Sequence, residues 1–158
     1  MKKLPIKTLS TGAMIAALYF VLAIVFMPIS FGPLQFRVSE ALTILPMFTP
    51  AAIPGLFLGC LLANIFGSGN VFDIIFGSLT TLAAALLTRQ LKGNIWLAML
   101  PPIIFNGLSV GYILAFLYAA PLLLTIGQIT LGQAGVLLLL GVPLYYFLRA
   151  SKIEKFLK

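Results

Sequence analysis

Residues 122–148, LLLTIGQITLGQAGVLLLLGVPLYYFL, contain no charged side chain. A helix needs about 20 predominantly apolar residues to cross roughly 30 Å of hydrocarbon, so this run spans a bilayer with length to spare and is expected to tilt or protrude. The fold class that follows is an all-α integral membrane protein.

Composition agrees along the rest of the chain. The 158 residues are 61% hydrophobic and 8% charged, where soluble domains are near 45–50% apolar and about a quarter charged. No water-facing surface can be built from that ratio, and lipid must be the outer solvent.

Working outward from the last run, charges, Pro and Gly divide the chain into five more segments. Residues 8–27 form the first, closed by Pro28 and a turn at Ser30-Phe31-Gly32-Pro33. Residues 36–48 form the second, too short to cross straight through and interrupted by Pro46, so it is expected to be broken or partly buried. Pro50 and Pro54 open the third, which ends near Gly67; Pro suits a first helical turn, where its missing N–H would be unpaired anyway. The fourth covers residues 71–91 and the fifth residues 95–119. Six transmembrane helices in one domain, residues 1–158, are the expected architecture. The first is read as a retained helix and not as a signal peptide, because its apolar stretch is long and further spans follow.

Orientation follows from the Lys/Arg bias of short loops. With both termini cytoplasmic, Lys2, Lys3, Lys7, Arg89, Lys92, Arg149, Lys152, Lys155 and Lys158 all fall inside, and Arg37 alone falls outside. The net charge of +7 is thereby explained by topology, and a nucleic-acid partner is not expected.

The absence of His and the single Cys60 remove the usual metal ligands and any disulfide, and no base stands ready for a nucleophile. Cys60 is expected to be a buried small hydrophobe. No cofactor is expected, nor an enzyme.

Two acids inside apolar stretches, Glu40 and Asp73, stand out. A charge within hydrocarbon costs roughly 2.5–3.5 kcal/mol on insertion scales, so such groups face the bundle interior and mark a site. Their bland readings are an Arg37–Glu40 pair at i, i+3 and a helix N-terminal position for Asp73. The expected topology puts Glu40, Asn64, Asp73, Gln128 and Gln133 in the outer half and Asn106 nearer mid-depth, around a cavity open to the outside. For the amides the bland reading is an interhelical hydrogen bond, worth about 0.6 kcal/mol on average. One of the aromatics Phe31, Phe36, Phe72, Tyr112 and Trp96 near that cavity can stack on a planar ligand. Gly12, Ala13, Ala16 and Ala17 make overlapping small-xxx-small pairs on the first helix, which suit an internal contact or a docking face. Gly55-xxx-Gly59 and Gly107-xxx-Gly111 repeat the signal.

The residues Gly32-Pro33-Leu34-Gln35-Phe36-Arg37-Val38-Ser39-Glu40-Ala41-Leu42-Thr43, followed by Thr49-Pro50-Ala51-Ala52-Ile53-Pro54-Gly55-Leu56-Phe57, Asp73-Ile74-Ile75-Phe76-Gly77-Ser78-Leu79 and Pro101-Pro102-Ile103-Ile104-Phe105-Asn106, resemble the QueT family. Its members are queuosine-precursor transporters, the substrate-binding S components of energy-coupling-factor (ECF) importers. The resemblance implies an S-component-like six-helix bundle that captures a deazaguanine, the aminomethyl form preQ1, from outside the cell. It implies a complex with a T component and two ATPase subunits in the cell membrane. It also implies that Ala13-xxx-Ala17 docks on the T component, with Gly12 and Ala16 beside it. The chain departs from the family where Gly132-Gln133 replaces an expected Gly-Glu in the last helix, which bears on ligand choice. The substrate-binding candidates are Glu40, Asp73, Asn106, Arg37, Asn64, Gln133 and Gln35.

A competing class is an oligomeric channel lined by the same polar residues, and another is an S component for a different vitamin-like solute. An intramembrane enzyme using Glu40 and Asp73 as an acid/base pair is a third. The thinning of polar residues toward the cytoplasmic side speaks against a through-pore.

Overall fold

The computed structural model describes residues 6–32 and 34–151. Lys2, Lys3, Lys152, Lys155 and Lys158 of the orientation argument, and Pro33 of the turn and of the family-like motif, lie outside them. The described residues are mostly helical, joined by short turns, with no strand among them.

The first run folds as α1, Ile6–Val25, followed by a single turn, α2, Met27–Ser30, with Pro28 in the opening turn where its missing N–H costs nothing. Residues Val38–Met47 form a 3₁₀ helix, and Ala52–Gly67 form α3. A π-helical turn, Asp73–Gly77, leads directly into α4, Ser78–Gln90. Next comes α5, Ile95–Leu117, its start capped by the Asn94 side chain, which accepts from the Trp96 N–H. The last run is α6, Leu122–Val136, a second π-helical turn, Leu137–Gly141, and α7, Val142–Ala150. Three helical stretches, Ile6–Val25, Ile95–Leu117 and Leu122–Ala150, are long and apolar enough to cross a membrane.

The outer surface carries the apolar side chains expected of a lipid-facing wall: Leu9, Val25, Leu123, Leu131, Leu139 and Phe147 are all exposed. Inside, α1 and α3 press together until backbone meets backbone. A Cβ on Gly55 would stand 2.7 Å from the Gly12 carbonyl oxygen, and one on Gly59 would stand 2.8 Å from that of Ala16. Without a hydrophobic force between helices in lipid, close approach of this kind supplies the association energy. The four small residues of the expected docking face divide in this geometry. Gly12 and Ala16 are buried against α3, whereas Ala13 and Ala17 remain exposed beside Met14 and Leu18.

The short second segment is the centre of the molecule. Every residue from Ser39 to Met47 is buried, and the segment touches α1, α3, α4, α5, α6 and α7. At about 2.0 Å per residue its ten residues reach roughly 20 Å, some 5 Å further than an α-helix of equal length. Stretches of 3₁₀ helix this long are uncommon because their hydrogen bonds are poorly aligned, so something must hold both ends. At the far end, Arg89 Nη1 donates to the carbonyls of Pro46, 2.9 Å, and Met47, 3.1 Å. The near end enters the site.

Candidate functional site

Three residues per turn place residues i and i+3 one above the other, so Arg37 and Glu40 share a face at the start of the 3₁₀ helix. Arg37 Nη1 lies 4.0 Å from Glu40 Oε1. The i, i+3 pairing expected from the sequence is therefore present, fully buried, and larger than a pair. Tyr19 on α1 donates its hydroxyl hydrogen to Glu40 Oε1. Asn106 Nδ2 on α5 and Gln133 Nε2 on α6 each donate to Glu40 Oε2 at 3.2 Å. Both carboxylate oxygens are engaged by side chains from three helices, which is what a buried carboxylate needs to remain charged.

Arg37 extends the network upward. Its Nη2 donates to Gln35 Oε1 at 3.4 Å, its guanidinium covers one face of the Phe31 ring at 4.8 Å, and Nη1 stands 3.9 Å from Cys60 Sγ. The approach of residues 34–35 to α6 depends on Gly132, since a Cβ there would lie 2.0 Å from the Leu34 carbonyl oxygen. The neighbouring Gln133 then falls within reach of Glu40. Gln35 itself has φ of +43°, a left-handed conformation that costs a non-glycine residue of order 1–3 kcal/mol and recurs at ligand clamps.

Asp73 belongs to a second group. Its side chain is buried, and Oδ1 has no hydrogen-bond partner. Its backbone carbonyl accepts from Asn64 Nδ2 at 2.8 Å, so Asn64 braces the π-helical turn that carries Asp73. Such turns disturb the helical ladder and recur at functional sites. Asn64 Nδ2 also lies 3.5 Å from Cys60 Sγ. Cys60 is buried as expected, yet it is no inert hydrophobe: it stands between Arg37 and Asn64 and accepts from Thr81 Oγ1 at 3.3 Å.

The two groups meet under a cavity of about 510 Å³ at one end of the bundle. Its lining includes Phe31, Gln35, Asn70, Asp73, Tyr118 and Gln128. Of the sequence candidates, Asp73 and Gln35 line the cavity, Arg37 lies beneath Phe31 and Gln35, Glu40 is one contact further in, and Asn106 and Gln133 bond to Glu40 beyond that. Asn64 supports Asp73 from the side. A larger hollow of about 900 Å³ runs along α4 and α5. It is walled by Phe72, Phe76, Leu108 and Phe116, and its Thr80 and Ser109 hydroxyls bond each other at 2.8 Å. That hollow offers hydrocarbon to lipid and little to a polar solute.

Sequence reasoning missed Tyr19. The signal was available, because Tyr19 follows Gly12, Ile15 and Ala16 at helical spacing on the face that α3 packs against. Asn70, Tyr118 and Thr125, which also line the cavity, sit in turns or at helix ends and carry no such pattern.

Comparison with known proteins bears directly on these groups. No solved structure matches the chain. The queuosine precursor transporter QueT of Lactococcus lactis subsp. cremoris (strain MG1363) is 32% identical over 148 residues, covering 84% of this chain and 87% of that protein. The model of the QueT transporter family matches residues 9–150, a stretch that holds every polar group just described. This multi-pass membrane chain belongs to the QueT transporter family.

Proposed function

We propose that the chain is the substrate-binding S component of an ECF-type importer and that it takes up a queuosine precursor, a deazaguanine, with preQ1 as the ligand. The observation that carries this reading is the cavity, which combines aromatic faces with a carboxylate and carboxamides above a buried ion pair. A planar bicyclic ring stacks on Phe31, the guanine-like edge gives N–H donors to an acceptor, and its carbonyl accepts from Gln35 or Gln128. Asp73, whose Oδ1 has no protein partner, takes the aminomethyl ammonium. The named function of the Lactococcus relative supports the substrate class.

In this reading the chain crosses the membrane six times with both termini cytoplasmic, and the cavity opens outward. It lacks a phosphate-binding Gly-x-x-x-x-Gly-Lys loop, so ATP hydrolysis falls to two separate ATPase subunits joined through a T component. The exposed Ala13 and Ala17 form the docking face.

Calorimetric titration of the detergent-purified protein with preQ1 and related deazaguanines tests the substrate. Saturable binding to preQ1 is expected. Failure of every deazaguanine, together with tight binding of an unrelated vitamin, overturns the substrate class. Co-purification with a T component tests the assembly.

A further inference from the structure

The 3₁₀ helix is held at both ends by side chains of other helices, and only one end belongs to the cavity. At the other, Arg89 of α4 donates to the carbonyls of Pro46 and Met47. The last carbonyls of any helix lack partners within it, and here a half-buried guanidinium supplies them.

The geometry points to Arg89 as a positioning residue for the binding site: by gripping the far end of the 3₁₀ helix it sets where Arg37 and Glu40 stand at the near end. The inference rests on the assignment of the cavity to substrate.

Six residues separate Glu40 from Pro46, roughly 12 Å along a 3₁₀ axis. An α-helix rises about 0.5 Å less per residue and turns about 20° less. If the far end is released and these residues relax toward α-helical geometry, Glu40 shifts by about 3 Å and rotates by about 120° relative to that end. Either displacement exceeds what the 3.2 Å bonds from Asn106 and Gln133 tolerate. Arg37 moves with it, away from Cys60, Gln35 and the Phe31 ring. The grip therefore bears on the cavity through a rigid segment and not through any contact with ligand.

Cys60 supplies a readout that needs no ligand, because it is the sole cysteine in the chain, is fully buried and lies 3.9 Å from Arg37. The experiment compares wild type with Arg89→Ala, Arg89→Gln and Arg89→Lys in detergent. It measures preQ1 affinity by calorimetry, the rate of Cys60 alkylation by a maleimide, and amide hydrogen exchange across residues 40–48. Arg89→Ala is expected to weaken preQ1 binding at least tenfold, to raise Cys60 alkylation at least tenfold and to speed exchange. Arg89→Lys is expected to recover most of each. Partial recovery by Arg89→Gln, which donates without charge, separates the grip on the carbonyls from a charge effect on topology. Should Arg89→Ala fail to purify as a monodisperse species, the Gln and Lys variants decide by the same readouts. Wild-type affinity together with an unreactive Cys60 in the Ala variant, or in the Gln variant where Ala does not fold, overturns the proposal. If no deazaguanine binds wild type, the substrate assignment fails, while alkylation and exchange still decide whether Arg89 holds the 3₁₀ helix.

Discussion

Glu40 and Asp73 are both buried acids in apolar surroundings, yet the fold treats them in opposite ways. Glu40 has donors on both oxygens, drawn from α1, α5 and α6, and a guanidinium at 4.0 Å. Asp73 lines the cavity with a buried oxygen, Oδ1, that has no hydrogen-bond partner, on a turn braced through its backbone by Asn64. A saturated carboxylate organises the protein around it, whereas an unsatisfied one waits for a donor. On the proposed function, the difference separates the group that builds the pocket from the group that meets the ligand.

Replacing each acid by its amide tests that division most severely. Glu40→Gln leaves the Arg37 charge buried without its counter-ion, so a loss of about 3–5 kcal/mol in stability is expected, read from thermal unfolding in detergent. Asp73→Asn should keep the unfolding temperature of the ligand-free protein and weaken preQ1 binding by about 2–5 kcal/mol in calorimetry, the scale for truncating one side of a desolvated charge contact. The reverse outcome, a stable Glu40→Gln and an unfolded Asp73→Asn, would exchange their roles.

Smaller changes sharpen the same contrast. Tyr19→Phe removes a hydrogen bond to a charged acceptor and should cost about 1.5–3 kcal/mol of stability, with ligand affinity following only as far as Glu40 moves. A drop in affinity with unchanged stability would instead place Tyr19 in the ligand's path. Ala13→Leu lies on the exposed face of α1 and should change stability by less than about 0.5 kcal/mol. It should leave preQ1 binding intact and abolish recovery of a T component in pull-down. Loss of folding would show that this face, like that of Gly12 and Ala16, packs internally.

Much of this arrangement was legible beforehand. Apolar runs, Pro and Gly placed the helices to within a few residues, as with the expected 71–91 against a helical stretch ending at Gln90, and 95–119 against Ile95–Leu117. The candidates Arg37, Glu40, Asn106, Gln133 and Gln35 do fall in one bonded chain. What could not be read was that residues 38–47 are 3₁₀ and not α, because the side chains that hold its two ends, Tyr19, Asn106 and Gln133 at one and Arg89 at the other, lie in other parts of the chain. For Tyr19 the helical spacing marked the buried face, but its partner Glu40 lies 21 residues away, so its role in the network could not be read locally.

The sequence by itself determined that the chain is helical and lipid-solvated, since hydrocarbon thickness and the insolubility of bare backbone polar groups act on each segment separately. It also determined that its few interior charges must face the bundle interior, since each one is expensive in hydrocarbon. Only the tertiary structure decided which acid is satisfied and which keeps an oxygen without a partner. That outcome depends on how each helix is rotated and how closely it approaches its neighbour, at Gly55, Gly59 and Gly132 above all, and these are properties of pairs of segments and not of any one.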